Sequence, residues 1–147
     1  MPTLIDTNIL LRVVQPSNSM HIVALAALEF LLKQEEPLVI TVQNVAEFWN
    51  VATRPEKNNG LGFTVEEAQT SLSSLESFFR ILSEDEASYA TWKVMLTDHR
   101  VIGVQVHDAR LVAVMKVHGV ARIVTFNTSD FARFPEIEAV HPAGVII

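Results

Sequence analysis

The sequence predicts an α/β fold: three layers, with a parallel central sheet of four to five strands covered by helices on both faces. Three observations predict it. Short apolar runs alternate with longer helical patterns from end to end. The segments between runs are long enough to be crossover helices, which parallel neighbours require. Start and stop signals punctuate the helical patterns at several of these boundaries.

In chain order, Thr3–Asp6 reads as the first strand, Leu38–Thr41 as the second, Phe79–Leu82 as the third and Ala121–Phe126 as the fourth. A last strand is expected near Gly144–Ile147. The helical patterns are Ile9–Val14, Ser19–Gln34, Gln43–Thr53, Thr64–Phe78, Asp85–Asp98 and Val106–His118. Thr64 with Glu67, and Ser83 with Glu86, have the spacing of capping boxes, in which each side chain satisfies a backbone N–H of the first turn. Gly119 stands where a helix ends in a left-handed residue. Arg54–Gly62, with Asn58-Asn59-Gly60, reads as a mobile, basic loop rather than a domain linker, so residues 1–147 are expected to form a single domain.

Composition bounds the function. A hydrophobic fraction of 49% against 19% charged residues describes a chain that buries a core. No cysteine is present, which excludes a disulfide framework, thiolate catalysis and zinc–thiolate sites. The first residues lack a signal-peptide pattern, since Asp6 breaks the apolar run, and the apolar stretch Ile22–Leu32 is too short to span a bilayer. A soluble, cytoplasmic protein is the expectation. The net charge of −6 disfavours a simple basic-patch binder of nucleic acid.

Four of those negative charges carry the functional signal. Asp6 follows Leu4-Ile5, Glu47 interrupts Val45-Ala46-Glu47-Phe48-Trp49, Asp108 heads Ala109-Arg110-Leu111-Val112, and Asp130 follows the fourth strand within Asn127-Thr128-Ser129-Asp130-Phe131. A desolvated carboxylate costs several kcal/mol unless it finds partners. In an open parallel sheet, ligands bind beyond the carboxyl ends of the strands. Asp6 and Asp130 each lie just past such an end, and Glu47 and Asp108 lie near helix starts on the same edge. The four acids can therefore meet in one cleft around a divalent cation. Oxygen-only donors select Mg²⁺ or Mn²⁺ rather than zinc.

Blander readings compete at each position. Asp6 suits an N-cap, Asp108 the positive end of a helix dipole and Asp130 a turn. Glu47 resists capping if its helix starts near Gln43, which leaves a buried arginine pair as its ordinary explanation. The histidines His21, His99, His107, His118 and His141 show no metal-ligand spacing. No Gly-x-Ser-x-Gly elbow, phosphate loop or dinucleotide fingerprint occurs. Phe48, Trp49 and Trp92 read as core. Arg54, Lys57 and Arg110 are weak candidates for contacts to substrate phosphates.

Taken together, Leu4-Ile5-Asp6-Thr7-Asn8, Asn44-Val45-Ala46-Glu47-Phe48, His107-Asp108-Ala109 and Thr125-Phe126-Asn127-Thr128-Ser129-Asp130-Phe131 resemble the motifs of PIN-domain ribonucleases. Within that family the likeness is to the VapC-like toxins of type II toxin–antitoxin systems. The resemblance implies a parallel-sheet fold, Mg²⁺ or Mn²⁺ as cofactor, and hydrolysis of RNA phosphodiester bonds. It implies Asp6, Glu47 and Asp108 as the central catalytic and metal-binding acids, Asp130 as the fourth, and Asn8 as the residue orienting the first. Family members often carry an acid where this chain has Asn127, whose carbonyl oxygen can ligate only without charge; this weighs against a tightly held second ion. A cognate antitoxin and a second copy of the chain are the implied protein partners.

Two rivals share much of this pattern. A PIN-like module that binds RNA or protein without cutting would keep the fold and lose the metal, against which the three central acids argue. A phosphoacceptor domain would need paired acids after the first strand and a lysine after a late one. This chain offers a single Asp6 and Asn127 at those places.

Overall fold

Strands that are covered on both faces have no polar side, so they form where the sequence is continuously apolar. In the computed structural model, which describes residues 1–146, β1 (Thr3–Ile5) is buried at every position. The chain continues through α1 (Thr7–Val13), α2 (His21–Lys33), β2 (Leu38–Thr41), α3 (Val42–Thr53), α4 (Val65–Glu76), β3 (Arg80–Leu82), α5 (Glu86–Asp98), α6 (Gln105–Val117), β4 (Arg122–Val124) and β5 (Glu138–Val140). The strands form one sheet in the order β3-β2-β1-β4-β5, parallel at every pairing.

Successive strand residues point to opposite faces, and this alternation builds two cores. Ile5, Ile40 and Val124 pack on one side with Ile9 and Leu10 of α1, Leu28 of α2, Phe48 of α3 and Leu75 of α4. Leu4, Val39 and Ile123 pack on the other with Met95 of α5 and with Leu111, Val112 and Met115 of α6. The result is the expected three-layer α/β arrangement. Phe48 of α3 is fully buried, so truncating it to alanine would cost roughly 3–5 kcal/mol.

Helix ends follow the sequence signals at most boundaries. Thr64 and Glu67 form the expected capping box, with Glu67 N–H donating to Thr64 Oγ1 at 3.1 Å and Thr64 N–H to Glu67 Oε1 at 2.9 Å. Gly119 takes φ +70 directly after α6, where a side chain would be strained. The box expected at Ser83 lies two residues later. Asp85 caps α5 by accepting from Ser88 N–H at 3.0 Å, and Ser88 Oγ accepts from Asp85 N–H at 2.8 Å. Aspartate and serine satisfy the same two donors as the serine–glutamate pair would.

The last strand also differs from expectation. β5 is Glu138–Val140 rather than a strand near Gly144–Ile147. Pro142 cannot donate to a ladder, and Pro142–Gly144 instead forms a short 3₁₀ turn capped by His141 Nδ1, which accepts from Ala143 N–H at 3.0 Å. Val145 spends its apolar side chain on the first core; Ile147 lies outside the described residues.

The sheet order sets the position of the site. From β1 the chain moves outward through β2 to β3, then returns across to the other side of β1 for β4 and β5. The crossovers therefore diverge between β1 and β4, and a crevice opens beyond the carboxyl ends of these two strands.

A candidate acidic active site

Asp6 leaves β1 at this divergence and caps α1, its Oδ1 accepting from Thr7 N–H at 2.8 Å. Its other oxygen accepts from the Thr125 hydroxyl at 2.7 Å and, more weakly, from Asn8 Nδ2 at 3.5 Å. Thr125 is fully buried just past β4, and its hydroxyl also accepts from Asn8 Nδ2 at 3.1 Å and from Asn127 N–H at 3.0 Å. Asn8 closes the link by accepting from Phe126 N–H at 3.2 Å through Oδ1. The ends of β1 and β4 are thus cross-tied through one hydroxyl, and the Asp6 carboxylate is aimed by that tie.

Glu47 is placed by a second relay. Thr41 caps α3, and the fully buried Asn44 accepts from Thr41 N–H at 2.9 Å. Asn44 Nδ2 donates to Thr7 Oγ1 at 2.9 Å, and Thr7 Oγ1 donates to Glu47 Oε1 at 2.8 Å. Gln43 Nε2 donates to the His107 carbonyl at 2.9 Å and reaches Glu47 Oε2 at 3.4 Å, tying α3 to the start of α6. These amides and hydroxyls are buried because they are satisfied, apart from Gln43 Oε1, which has no partner.

Asp108 lies in the first turn of α6, and Asp130 is exposed in the 3₁₀ turn Thr128–Phe131 with Asn127 at that turn's start. Asp6, Thr7, Asn8, Gln43, Glu47, Asn50, Asp108, Asn127 and Asp130 all line one cavity of about 320 Å³. All four acids expected from the sequence come together there, with both asparagines. Arg54 and Lys57 are not among its lining residues. Arg110 lines an adjoining cavity that shares Gln43, Glu47 and Asn50 with the first.

Among the described residues none of the four acids forms an ion pair. Among the described residues the ion pairs are Arg110–Glu84 at 2.8 Å and Lys116–Glu136 at 2.9 Å, so the arginine pair that would explain Glu47 by ordinary means is absent. Burial pushes the Asp6 carboxyl from 3.8 to about 6, with the charges of Glu47 and Asp130 adding and the Thr125 and Thr7 hydrogen bonds opposing. Burial likewise pushes Asp108 to about 6, followed by repulsion from Asp130, Asp6 and Glu47; nearby Arg133 relieves it slightly. Like charges held together without a counter-ion raise one another in this way.

Among the described residues, no three His, Cys, Asp or Glu side chains already enclose an ion-sized point. The donor set nevertheless fits a hard divalent cation: every donor is an oxygen, the charge is uncompensated, and the cavity is open to solvent-borne ions. Thr7, Gln43, Asn44 and Thr125, which the sequence places in the motifs and helix starts without a role of their own, position the acids. Their signal was available in kind, since each is a polar residue at or just past the end of a strand whose side chain is buried.

The loop after α3 is more constrained than its asparagines suggest. Leu61 N–H donates to the Val51 carbonyl at 2.9 Å, Phe63 N–H to Ala52 at 2.8 Å and Gly62 N–H to Arg54 at 2.9 Å. Arg54 itself donates to the Asn59 carbonyl at 3.2 Å, so its guanidinium braces the loop. Asn59 takes φ 64, and a Cβ on Gly60 would meet the Arg54 carbonyl oxygen at 1.9 Å. Residues 54–62 form a tied turn rather than a mobile segment.

Residues 3–137 match the family model of the PIN domain. The chain belongs to the PIN-domain family. Its fold is similar to that of VapBC2 from Rickettsia felis, solved bound to a DNA fragment from its promoter, with a TM-score of 0.70 and 19% identity over 96% of this chain and 98% of that one. It is similar to FitAcB from Neisseria gonorrhoeae, with a TM-score of 0.67 and 21% identity over 95% and 97% of the two chains. It is also similar to VapC20 from Mycobacterium tuberculosis, described as a sarcin-ricin loop cleaving toxin, with a TM-score of 0.58 and 15% identity over 82% and 86%. At these identities the likeness is one of fold. No curated protein matches the chain significantly by sequence.

Proposed function

We propose that this PIN domain is a metal-dependent endoribonuclease, the toxin of a toxin–antitoxin pair. The observation that carries the reading is the convergence of four unpaired acids in one cavity at the divergence of β1 and β4. Structural neighbours support it, one described as a toxin-antitoxin complex and one as a sarcin-ricin loop cleaving toxin.

Asp6 and Asp108 would hold a Mg²⁺ or Mn²⁺ ion, with Asp130 and the neutral Asn127 lining the same cavity. When bound, such an ion supplies charge neutralisation and Lewis-acid polarisation at the scissile phosphate. Glu47 orients the attacking water and accepts its proton; Thr7 holds one carboxylate oxygen for that task. Asn8 and Thr125 keep Asp6 in register, so the acid needs little reorganisation when substrate arrives. Arg54 and Lys57 stand outside the cavity lining and contact only an RNA long enough to run along α3 to the loop.

For partners, we propose single-stranded RNA as substrate, a cognate antitoxin, and a second copy of this chain. Ile22, Tyr89, Val94, Ile102 and Val104 are each more than half exposed and supply apolar area for protein contacts. No helix of the described residues is long and apolar enough to cross a membrane, and we propose a cytoplasmic site of action.

The test is cleavage of labelled RNA by purified protein with Mg²⁺ or Mn²⁺, with EDTA, and after Glu47→Gln. That substitution keeps an oxygen for Thr7 and removes the charge, so the variant folds and binds RNA while the rate falls at least about 100-fold. Cleavage that continues in EDTA, or survives Glu47→Gln at full rate, overturns the mechanism.

A further inference from the structure

Beside the acidic cavity lies a second, of about 400 Å³, lined by Val42, Gln43, Ala46, Glu47, Asn50, His107 and Arg110. The two meet along α3, where Gln43, Glu47 and Asn50 border both. An RNA whose scissile phosphate lay by Glu47 would bring an adjoining nucleotide to the second cavity. Its chemistry is not that of a phosphate site. Val42 and Ala46 present exposed apolar surface, and the single cation is already compensated: Arg110 Nε and Nη2 donate to the two Glu84 carboxylate oxygens at 3.0 and 2.8 Å.

That pairing has a second effect. A bidentate carboxylate holds the guanidinium plane in a fixed orientation, and Trp92 supports it from 6.0 Å. Trp92 is itself held by its indole N–H, which donates to the Val106 carbonyl at 3.0 Å. With its charge answered and its plane fixed, Arg110 has a flat, weakly hydrated face to offer, and such faces stack on nucleobases.

We propose that this cavity is a base-binding subsite, taking one nucleobase next to the scissile phosphate, with Arg110 as its stacking platform and Val42 and Ala46 as its apolar floor. The subsite rests on the nuclease reading for its place in catalysis, but its binding can be measured without cleavage.

Every protein in the test carries Glu47→Gln, so that RNA stays intact in Mn²⁺. Fluorescence anisotropy compares a labelled eight-nucleotide RNA with the same backbone lacking its bases. Base-bearing RNA binds about fivefold or more tightly, the scale of one stacked base. Arg110→Gln erases most of that difference and leaves the salt dependence of binding unchanged. Ala46→Phe, at an exposed position of α3, fills the cavity and does the same without disturbing Arg110.

If Arg110→Gln instead lowers the salt slope by about one while the preference for bases persists, Arg110 is a phosphate contact and the subsite is overturned. A full base preference in both variants also overturns it. The wild-type chain assayed in parallel for EDTA-sensitive cleavage separates the two readings. A chain that cuts RNA but keeps its base preference in both variants refutes the subsite alone. A chain that cuts nothing but loses the preference in both refutes the nuclease alone.

Discussion

Among the described residues Asp108 accepts no side-chain hydrogen bond, yet it is half-buried among three other acids, so replacing it with asparagine should stabilise the metal-free fold. A carboxyl held at about 6 rather than 3.8 corresponds to about 3 kcal/mol against folding at neutral pH. Asp108 is partly open to water, and screening reduces this to about 1–1.5 kcal/mol. For a domain of this size, that raises the melting temperature by roughly 2–5 °C. The pH dependence follows from the direction of the shift. Between about pH 4 and 6 the folded state keeps a proton that the unfolded chain has released, so wild-type stability falls as pH rises through that window and levels off above it. The advantage of Asp108→Asn is therefore full at pH 7.5 and small at pH 4. Thermal denaturation in EDTA at both pH values measures it. Saturating Mn²⁺ should reverse the order at pH 7.5, since an ion at about 100 times its Kd adds about 2.7 kcal/mol to the protein that binds it. An Asp108→Asn protein that melts with wild type at pH 7.5, or gains equally at pH 4, refutes the reasoning.

Other expectations follow from the same geometry. Thr125→Val removes the donor to Asp6 and the acceptor for Asn8 and Asn127; it should cost about 2–3 kcal/mol and weaken Mn²⁺ binding more at pH 6.5 than at pH 8, because the Asp6 carboxyl rises further. Isothermal titration at the two pH values checks this, and an equal defect at both would detach Thr125 from the Asp6 charge. Gly60→Ala should destabilise by more than about 2 kcal/mol, since its Cβ would meet the Arg54 carbonyl oxygen at 1.9 Å. An alanine protein with an unchanged denaturant midpoint would show that the loop is not tied as described. Lys57→Ala should lower the salt slope of binding to a long RNA and not to a short one; equal slopes with both would remove Lys57 from the substrate path.

The layers of the fold were legible because buried strands such as Leu38–Thr41 are continuously apolar and helices carry their own end signals. β5 was not, since an edge strand needs one paired side only. Glu138-Ala139-Val140 is a short run that opens on a charged residue and is followed by a polar one, while the apolar Val145-Ile146 suggests a strand more strongly. The acids stood out because an ionised group in an apolar context demands an explanation. Thr7, Asn44 and Thr125 did not, because a neutral hydroxyl or amide at a strand–helix junction passes for an ordinary cap. Only the pairing of β1 with β4 makes Thr125 a neighbour of Asp6, across 119 positions of sequence. Arg54 and Asn58-Asn59-Gly60 misled for a related reason, since residues that permit a flexible loop also permit a tight one.

The two kinds of residue divide the work of the site. Neutral groups hold one another: Thr41, Asn44 and Thr7 form one relay, Asn8 and Thr125 the other, and both end on a carboxylate oxygen. Among the described residues the carboxylates facing the cavity make no ion pair, and burial together with the neighbouring negative charges raises the proton affinity of Asp6 and Asp108. A protein selecting only for stability would pair or neutralise them, as the Glu84–Arg110 and Glu136–Lys116 pairs do elsewhere on the surface. Holding Asp6 and Glu47 by neutral relays instead keeps their negative charge fixed and available. That combination suits acids whose partner arrives from outside, and it predicts that neutralising one carboxylate and cutting the relay that holds another act in opposite directions on stability. Asp108→Asn should raise it and Thr125→Val lower it, while both weaken the hold on a divalent ion.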